Sequence, residues 1–123
     1  MNKPLRVLAV DDSASMRALI LHALTDRGFD VAQADDGLAA LAWLETNEAD
    51  VVITDINMPR LDGFGLIKRM RAGSRYRECP ILVLSTESSD EKKRRARAAG
   101  ATGWIVKPFD PAQLVAAVRR IAY

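Results

Sequence analysis

The 123-residue chain has one cysteine and one histidine, few aromatic side chains and no long apolar run. Each scarcity excludes something. Cys79 alone can form no internal disulfide and no cysteine-rich zinc site, which suits a reducing compartment. His22 falls inside a predicted helix and reads as a helix-surface residue without a ligand role. No apolar stretch approaches the roughly 18 residues of a membrane span. The N-terminus meets Arg6, Asp11 and Asp12 too early for a signal peptide. A soluble, cytoplasmic, single-domain protein spanning 1–123, with no attached output domain, is the expectation.

Charge is nearly balanced at +2, but it is unevenly placed. Residues 1–59 carry a net −6 and residues 60–123 a net +8. The densest basic run is Lys92, Lys93, Arg94, Arg95 and Arg97. The run could mark a nucleic-acid or acidic-protein surface, but no aromatic residue is interleaved there for base stacking, and a solvated helix face is the favoured reading.

Short apolar runs alternate with helical patterns along the whole chain. The runs are continuous rather than alternating, as in strands covered on both faces, which predicts a mostly parallel α/β sheet of doubly wound type. Strands are expected at 5–10, 30–34, 51–54, 81–84 and 102–106, with the polar second one at an edge. Helices are expected at about 13–27, 37–46, 62–73, 90–99 and 110–121. In the first, Met16, Leu19, Ile20, Ala23 and Leu24 form an apolar stripe that stops at Gly28; in the second, Leu38, Leu41 and Leu44 point inward. Asp62 is a candidate N-cap, and Asp35, Asp36 and Gly37 read as a turn and cap. Asp110, Pro111 and Gln113 make an acidic variant of the capping box. The fourth helix has only alanines for an apolar stripe and should be the least firmly anchored, hence the most available to move.

In such a sheet, ligands bind outside the carboxyl ends of the strands. Asp11 and Asp12 follow the first strand, Asp55 the third, Ser85 and Thr86 the fourth, and Lys107 the fifth. Three converging carboxylates need a cation, and an all-oxygen donor set without histidine suits Mg²⁺ or Mn²⁺. Lys107 supplies a compact positive charge for phosphate, and Ser85 or Thr86 a hydroxyl donor. Asp55, apart from the paired aspartates, is the candidate nucleophile for an aspartyl phosphate. Rival phosphate sites are missing: there is no G-x-x-x-x-G-K-[ST] and no G-x-G-x-x-G. Two places after Asp55 stands Asn57, where dehalogenase-like phosphatases carry a second aspartate. Trp43, Met58 and Pro59 read as packing or loop-shaping residues.

Several segments together carry a resemblance. Val10-Asp11-Asp12-Ser13 with Met16-Arg17, Asp55-Ile56-Asn57-Met58-Pro59 with Asp62-Gly63, Leu84-Ser85, and Gly103-Trp104-Ile105-Val106-Lys107-Pro108-Phe109 closely resemble the receiver domain of bacterial response regulators, especially its single-domain chemotaxis members. The resemblance implies a flavodoxin-like (βα)5 fold with strand order 2-1-3-4-5. It implies that a sensor histidine kinase phosphorylates Asp55. Asp12 and Asp55 would bind Mg²⁺ directly, Asp11 through water and Asn57 through its backbone carbonyl. Ser85 would be the switch hydroxyl, with Lys107 paired to the phosphoryl group and Trp104 as the aromatic residue that swings inward. Asn57 and Glu87 would tune hydrolysis, and Lys107-Pro108 would be cis.

A stand-alone, monomeric switch follows, whose fourth helix, fifth strand and fifth helix meet an acidic target such as a flagellar motor switch protein. Reversing Lys92 and Arg95 to glutamate should weaken that contact. The alternatives are a phosphorelay shuttle or phosphate sink between histidine proteins and, with less support, a metal-dependent phosphatase.

Overall fold

The computed structural model describes residues 3–122. Five strands alternate with five helices: β1 (Arg6–Val10), α1 (Ala14–Thr25), β2 (Asp30–Ala34), α2 (Gly37–Thr46), β3 (Val51–Thr54), α3 (Gly63–Ala72), β4 (Ile81–Ser85), α4 (Asp90–Ala99), β5 (Gly103–Val106) and α5 (Pro111–Ala122). The strands form one parallel sheet in the order β2-β1-β3-β4-β5, the flavodoxin-like arrangement expected.

The continuous apolar strands are explained by two cores, one on each face. Val7, Ala9, Ile53, Leu82 and Leu84 face α1 and α5, where Ile20, Leu24, Leu114 and Val118 are buried. Leu8, Val10, Val52, Ile81 and Val83 face the other way, onto Leu44, Phe64, Ile67, Met70 and Ala96 of α2, α3 and α4. Alternate residues of one strand therefore enter different cores, and neither can be polar. β2 lies at the edge, as its polar sequence predicts.

α2 and α3 start at the expected caps, and Ser13, expected as the first residue of its helix, caps α1. Ser13, Asp36 and Asp62 each accept a backbone N–H from the residue three places on. Gly28, at φ 90°, takes the left-handed conformation expected just beyond α1. The box at α5 forms differently from the expectation: Asp110 accepts the N–H of Ala112 at 3.1 Å rather than that of Gln113.

Two leucines also depart from their expected stripes, with Leu19 57% and Leu38 42% exposed. Small residues explain both. Ala23 and Ala40 bring α1 and α2 close to the sheet, so only a narrow stripe is covered and the flanking leucines fall on its rim.

α4 buries a single residue, Ala96, in keeping with the weak anchoring expected of it. It is also held by arginines that periodicity does not reveal. The Arg95 guanidinium stacks 3.9 Å from the Phe64 ring centroid, and Arg71 donates to the Gly100 carbonyl at the α4 C-terminus. Cys79 is half-buried, and burial pushes its thiol up to about 11, which leaves it an inert structural residue. None of the described helices is long and apolar enough to cross a membrane.

Candidate functional site

Parallel pairing brings the carboxyl ends of β1, β3, β4 and β5 to one edge. Val10 is in register with Thr54, and Ser85 with Val106, so Asp11 and Asp55 emerge side by side and Lys107 follows directly after the neighbour of Ser85. The ladder continues one step beyond the strands: Asp55 N–H donates to the Val10 carbonyl (3.0 Å) and Lys107 N–H to the Ser85 carbonyl (2.8 Å). Rigid strand ends thus hold the loops that carry the charged groups.

One carboxylate oxygen each from Asp11, Asp12 and Asp55 lies within 4.8 Å of the others. Lys107 reaches across the sheet edge, its Nζ 2.6 Å from Asp11 Oδ2 and 2.9 Å from Asp55 Oδ2. The Lys107, Asp11 and Asp55 side chains are only 9%, 2% and 12% exposed, while Asp12 is exposed. Burial by itself would lower the Lys107 pKa, but the hydrogen bonds and charges of Asp11 and Asp55 outweigh it and hold the ammonium above its ordinary value. Backbone amides fix the carboxylates further: Ile56 N–H donates to Asp55 Oδ1 (2.7 Å) and Ser13 N–H to Asp11 Oδ1 (2.9 Å).

Three carboxylates against one ammonium leave two negative charges uncompensated. The donor set is all oxygen, clustered and partly open to solvent through Asp12, which fits a hard divalent cation of the Mg²⁺ kind. The chemistry of the residues agrees with the group expected there.

A second set of contacts surrounds this cluster, and Glu87 is its centre. Its N–H donates to Ser85 Oγ (3.2 Å), its carbonyl accepts the Trp104 Nε1–H (3.0 Å), and its carboxylate takes Asn57 Nδ2 (3.3 Å) and Lys92 Nζ (2.9 Å). The Lys92 hydrogen bond first, and the Asn57 one second, lower the Glu87 pKa. Ser85 is fully buried and its hydroxyl accepts from Glu87, so its own proton is available to another acceptor. Thr86 is exposed, so of the two hydroxyls left open by sequence Ser85 is the one built into the site. Trp104 is half-buried against the α2–α4 core. The Lys107-Pro108 bond is cis, as the resemblance implies.

Sequence reasoning assigned no role to three residues that shape this edge. Arg17 Nη1 donates to the Asp11 carbonyl (2.6 Å), and Arg60 pairs with the buried Asp36 cap, tying the β3–α3 loop to α2. Gly63 is the third: a Cβ there would lie 2.3 Å from the Asp55 carbonyl oxygen. The Met16-Arg17 and Asp62-Gly63 pairs in the motif set were the available signals for two of them.

Comparison with known proteins places this geometry. The response regulator receiver domain family matches residues 7–119. Chemotaxis protein CheY-3 of Vibrio cholerae is 42% identical over 115 residues, covering 93% of this chain and 88% of that protein. The crystallised chemotaxis protein CheY4 of Vibrio cholerae superposes with a TM-score of 0.92 at 47% identity, covering 96% of this chain and 98% of that one. The receiver domain of the Pseudomonas aeruginosa sensor histidine kinase PA1611, solved with magnesium coordinated in its active-site cleft, gives a TM-score of 0.89 at 26% identity and covers 97% and 98% of the two chains.

Proposed function

The chain belongs to the response regulator receiver domain family, and from that premise we propose that it is a phosphorylation-activated chemotaxis switch whose phosphoacceptor is Asp55. The observation that carries the proposal is the Lys107 ammonium bridging Asp11 and Asp55 inside a cluster of three carboxylates. Asp55 is fixed by its neighbour's amide and accessible at the sheet edge, as a nucleophile must be.

In the proposed step, an Asp55 carboxylate oxygen attacks the phosphorus of a phosphohistidine on a sensor kinase. The new O–P bond forms as the N–P bond breaks, and the imidazole leaves with the electron pair. Asp12, Asp55, the Asn57 carbonyl and, through water, Asp11 would hold Mg²⁺, which would supply charge neutralisation for the phosphoryl oxygens. Lys107, held beside Asp55, moves its ammonium from carboxylate to phosphoryl oxygen. Ser85 then donates its hydroxyl proton to another phosphoryl oxygen, which draws it away from the Glu87 N–H. That loosens the loop leading into α4 and biases Trp104, whose indole is tied to the same Glu87. Asn57 and Glu87, hydrogen-bonded to each other, would tune how fast the aspartyl phosphate hydrolyses. The kinase, the target and the switch all act in the cytoplasm in this account.

The output face is α4, β5 and α5, and its basic charge fits an acidic segment of a flagellar motor switch protein. Lys92 and Arg95 already have partners within the chain, one paired with Glu87 and the other stacked on Phe64, so reversing them would disturb α4 as well as that contact. Lys93 and Arg97 border the α4–β5 groove beside Trp104 and replace them. With purified motor switch protein as the probe, acetyl phosphate and Mg²⁺ should raise affinity at least tenfold, and Lys93→Glu with Arg97→Glu should remove most of that gain. Equal affinity with and without the phosphodonor would contradict a motor regulator. Rapid return of the phosphoryl group to a histidine protein would then favour the shuttle or sink.

A further inference from the structure

Helix α4 breaks a local rule at its first turn. Ser89 is its N-cap, accepting the Lys92 N–H, which puts Lys92 at the third helical position. That position favours glutamate, which closes a capping box and complements the positive end of the helix dipole. Asp90 and Glu91 obey the preference and Lys92 opposes it. The lysine has another partner, for its ammonium turns back 2.9 Å from Glu87 Oε1. The same oxygen takes Asn57 Nδ2 at 3.3 Å, and Asn57 lies two residues beyond Asp55. A locally unfavourable charge is thus placed where it neutralises a carboxylate that is hydrogen-bonded to Asn57 and, through its own residue's N–H, linked to Ser85.

We propose that Lys92 is a positioning residue for the Asp55 site: its ion pair holds Glu87 toward α4 and cancels its charge, so that an anionic phosphodonor approaches Asp55 without passing a free carboxylate. The inference rests on Asp55 being the phosphoacceptor. Without Lys92, the Glu87 carboxylate keeps one weak amide contact and its full negative charge. For a doubly charged donor passing within about 10 Å of such a carboxylate in water, the Coulomb penalty corresponds to about a three- to fivefold slower reaction at low ionic strength.

The test is the time course of mass gain with acetyl phosphate and Mg²⁺ for the wild type, Lys92→Ala, Lys92→Arg, Glu87→Ala and the Glu87→Ala/Lys92→Ala double variant. Arg94→Ala serves as the charge-matched control on the same helix, since Arg94 makes no ion pair among the described residues. Lys92→Ala should slow the reaction about three- to fivefold at low salt and hardly at all in high salt. Lys92→Arg should restore the rate, and the Glu87→Ala/Lys92→Ala double variant should return close to the wild-type rate, because the local charge is again zero. Misfolding does not mimic this pattern, because alanine suits the first turn of α4 better than lysine does. A Lys92→Ala effect no larger than that of Arg94→Ala, or a double variant that stays as slow as Lys92→Ala, overturns the inference. A wild-type chain that gains no phosphoryl group overturns the phosphoacceptor reading and the inference with it, whereas phosphorylation indifferent to Lys92 overturns the inference alone.

Discussion

Lys107→Ala is expected to destabilise the metal-free protein by about 3 kcal/mol and to slow phosphorylation by on the order of 100-fold. The stability loss follows from burial. Lys107 is the ammonium within hydrogen-bonding distance of both Asp11 and Asp55, whose side chains are 2% and 12% exposed. Removing one member of a buried ion pair costs about 3–5 kcal/mol, because the remaining charge is desolvated and uncompensated. Partial exposure at Asp55 and water entering the vacated space place the effect at the lower end. The rate loss follows from losing a preorganised donor to the developing phosphoryl charge, which costs about 100- to 1,000-fold where it has been measured in enzymes.

Urea unfolding in EDTA and in Mg²⁺ separates the two effects. Mg²⁺ should return much of the stability to Lys107→Ala, since a divalent cation compensates the same carboxylates, but should not restore the rate. The pH dependence has a definite sign. The folded-state pKa of Lys107 is raised, so its contribution is complete below the ordinary lysine value of 10.5 and is lost as pH rises through the higher folded value. On the alkaline side, wild type and variant should therefore converge as pH rises past that value. Equal stability in EDTA near neutral pH would mean that the ion pair contributes nothing.

Gly63→Ala should have an effect of comparable size for a steric reason. The new Cβ would lie 2.3 Å from the Asp55 carbonyl oxygen and 2.9 Å from Ile56 Cα, both backbone atoms. The Gly63 N–H also donates to the Ile56 carbonyl at 2.8 Å, so the start of α3 cannot retreat without breaking that bond. Overpacking against backbone costs about 1–3 kcal/mol and occasionally more; about 3 kcal/mol is expected here. The displaced backbone is that of Asp55 itself. Since a shift of about 1 Å at a reacting group can cost 100-fold, phosphorylation should fall at least tenfold even where the variant is folded. Gly65→Ala is the control. Its Cβ would meet the end of the Leu61 side chain, which can move, and it should cost much less. Thermal unfolding together with the phosphorylation rate of both variants checks the contrast, and equal effects at the two glycines would contradict it.

The sequence and the structure agree where a property is local or periodic. Continuous apolar strands required a sheet covered on both faces, and Ser13, Asp36 and Asp62 cap helices because short polar side chains meet the free N–H groups of the residues that follow them. The charged residues after β1, β3 and β5 converge because parallel strands all end at the same edge. What stayed hidden depends on long side chains crossing between elements. Arg17 on the Asp11 carbonyl, Arg60 on Asp36 and Arg95 on Phe64 are fixed by tertiary approach, and no spacing encodes them. Lys92 is an intermediate case. Its charge was visible in the sequence as part of the basic run, but its partner Glu87 lies on the loop before the helix, and only the fold brings Asn57 to the same oxygen. Leu19 and Leu38 show the opposite limit, for a helical stripe indicates which face is apolar and not how wide a strip the neighbouring layer covers.

The central claim is that Asp55 accepts a phosphoryl group in a metal-dependent reaction. Intact mass spectrometry after incubation with acetyl phosphate, with Mg²⁺ or EDTA, on the wild type and Asp55→Ala tests it most directly. The account predicts a gain of one phosphoryl group in Mg²⁺, none in EDTA and none in Asp55→Ala. A wild-type mass that does not change under any of these conditions, or a gain that persists in Asp55→Ala, would contradict it.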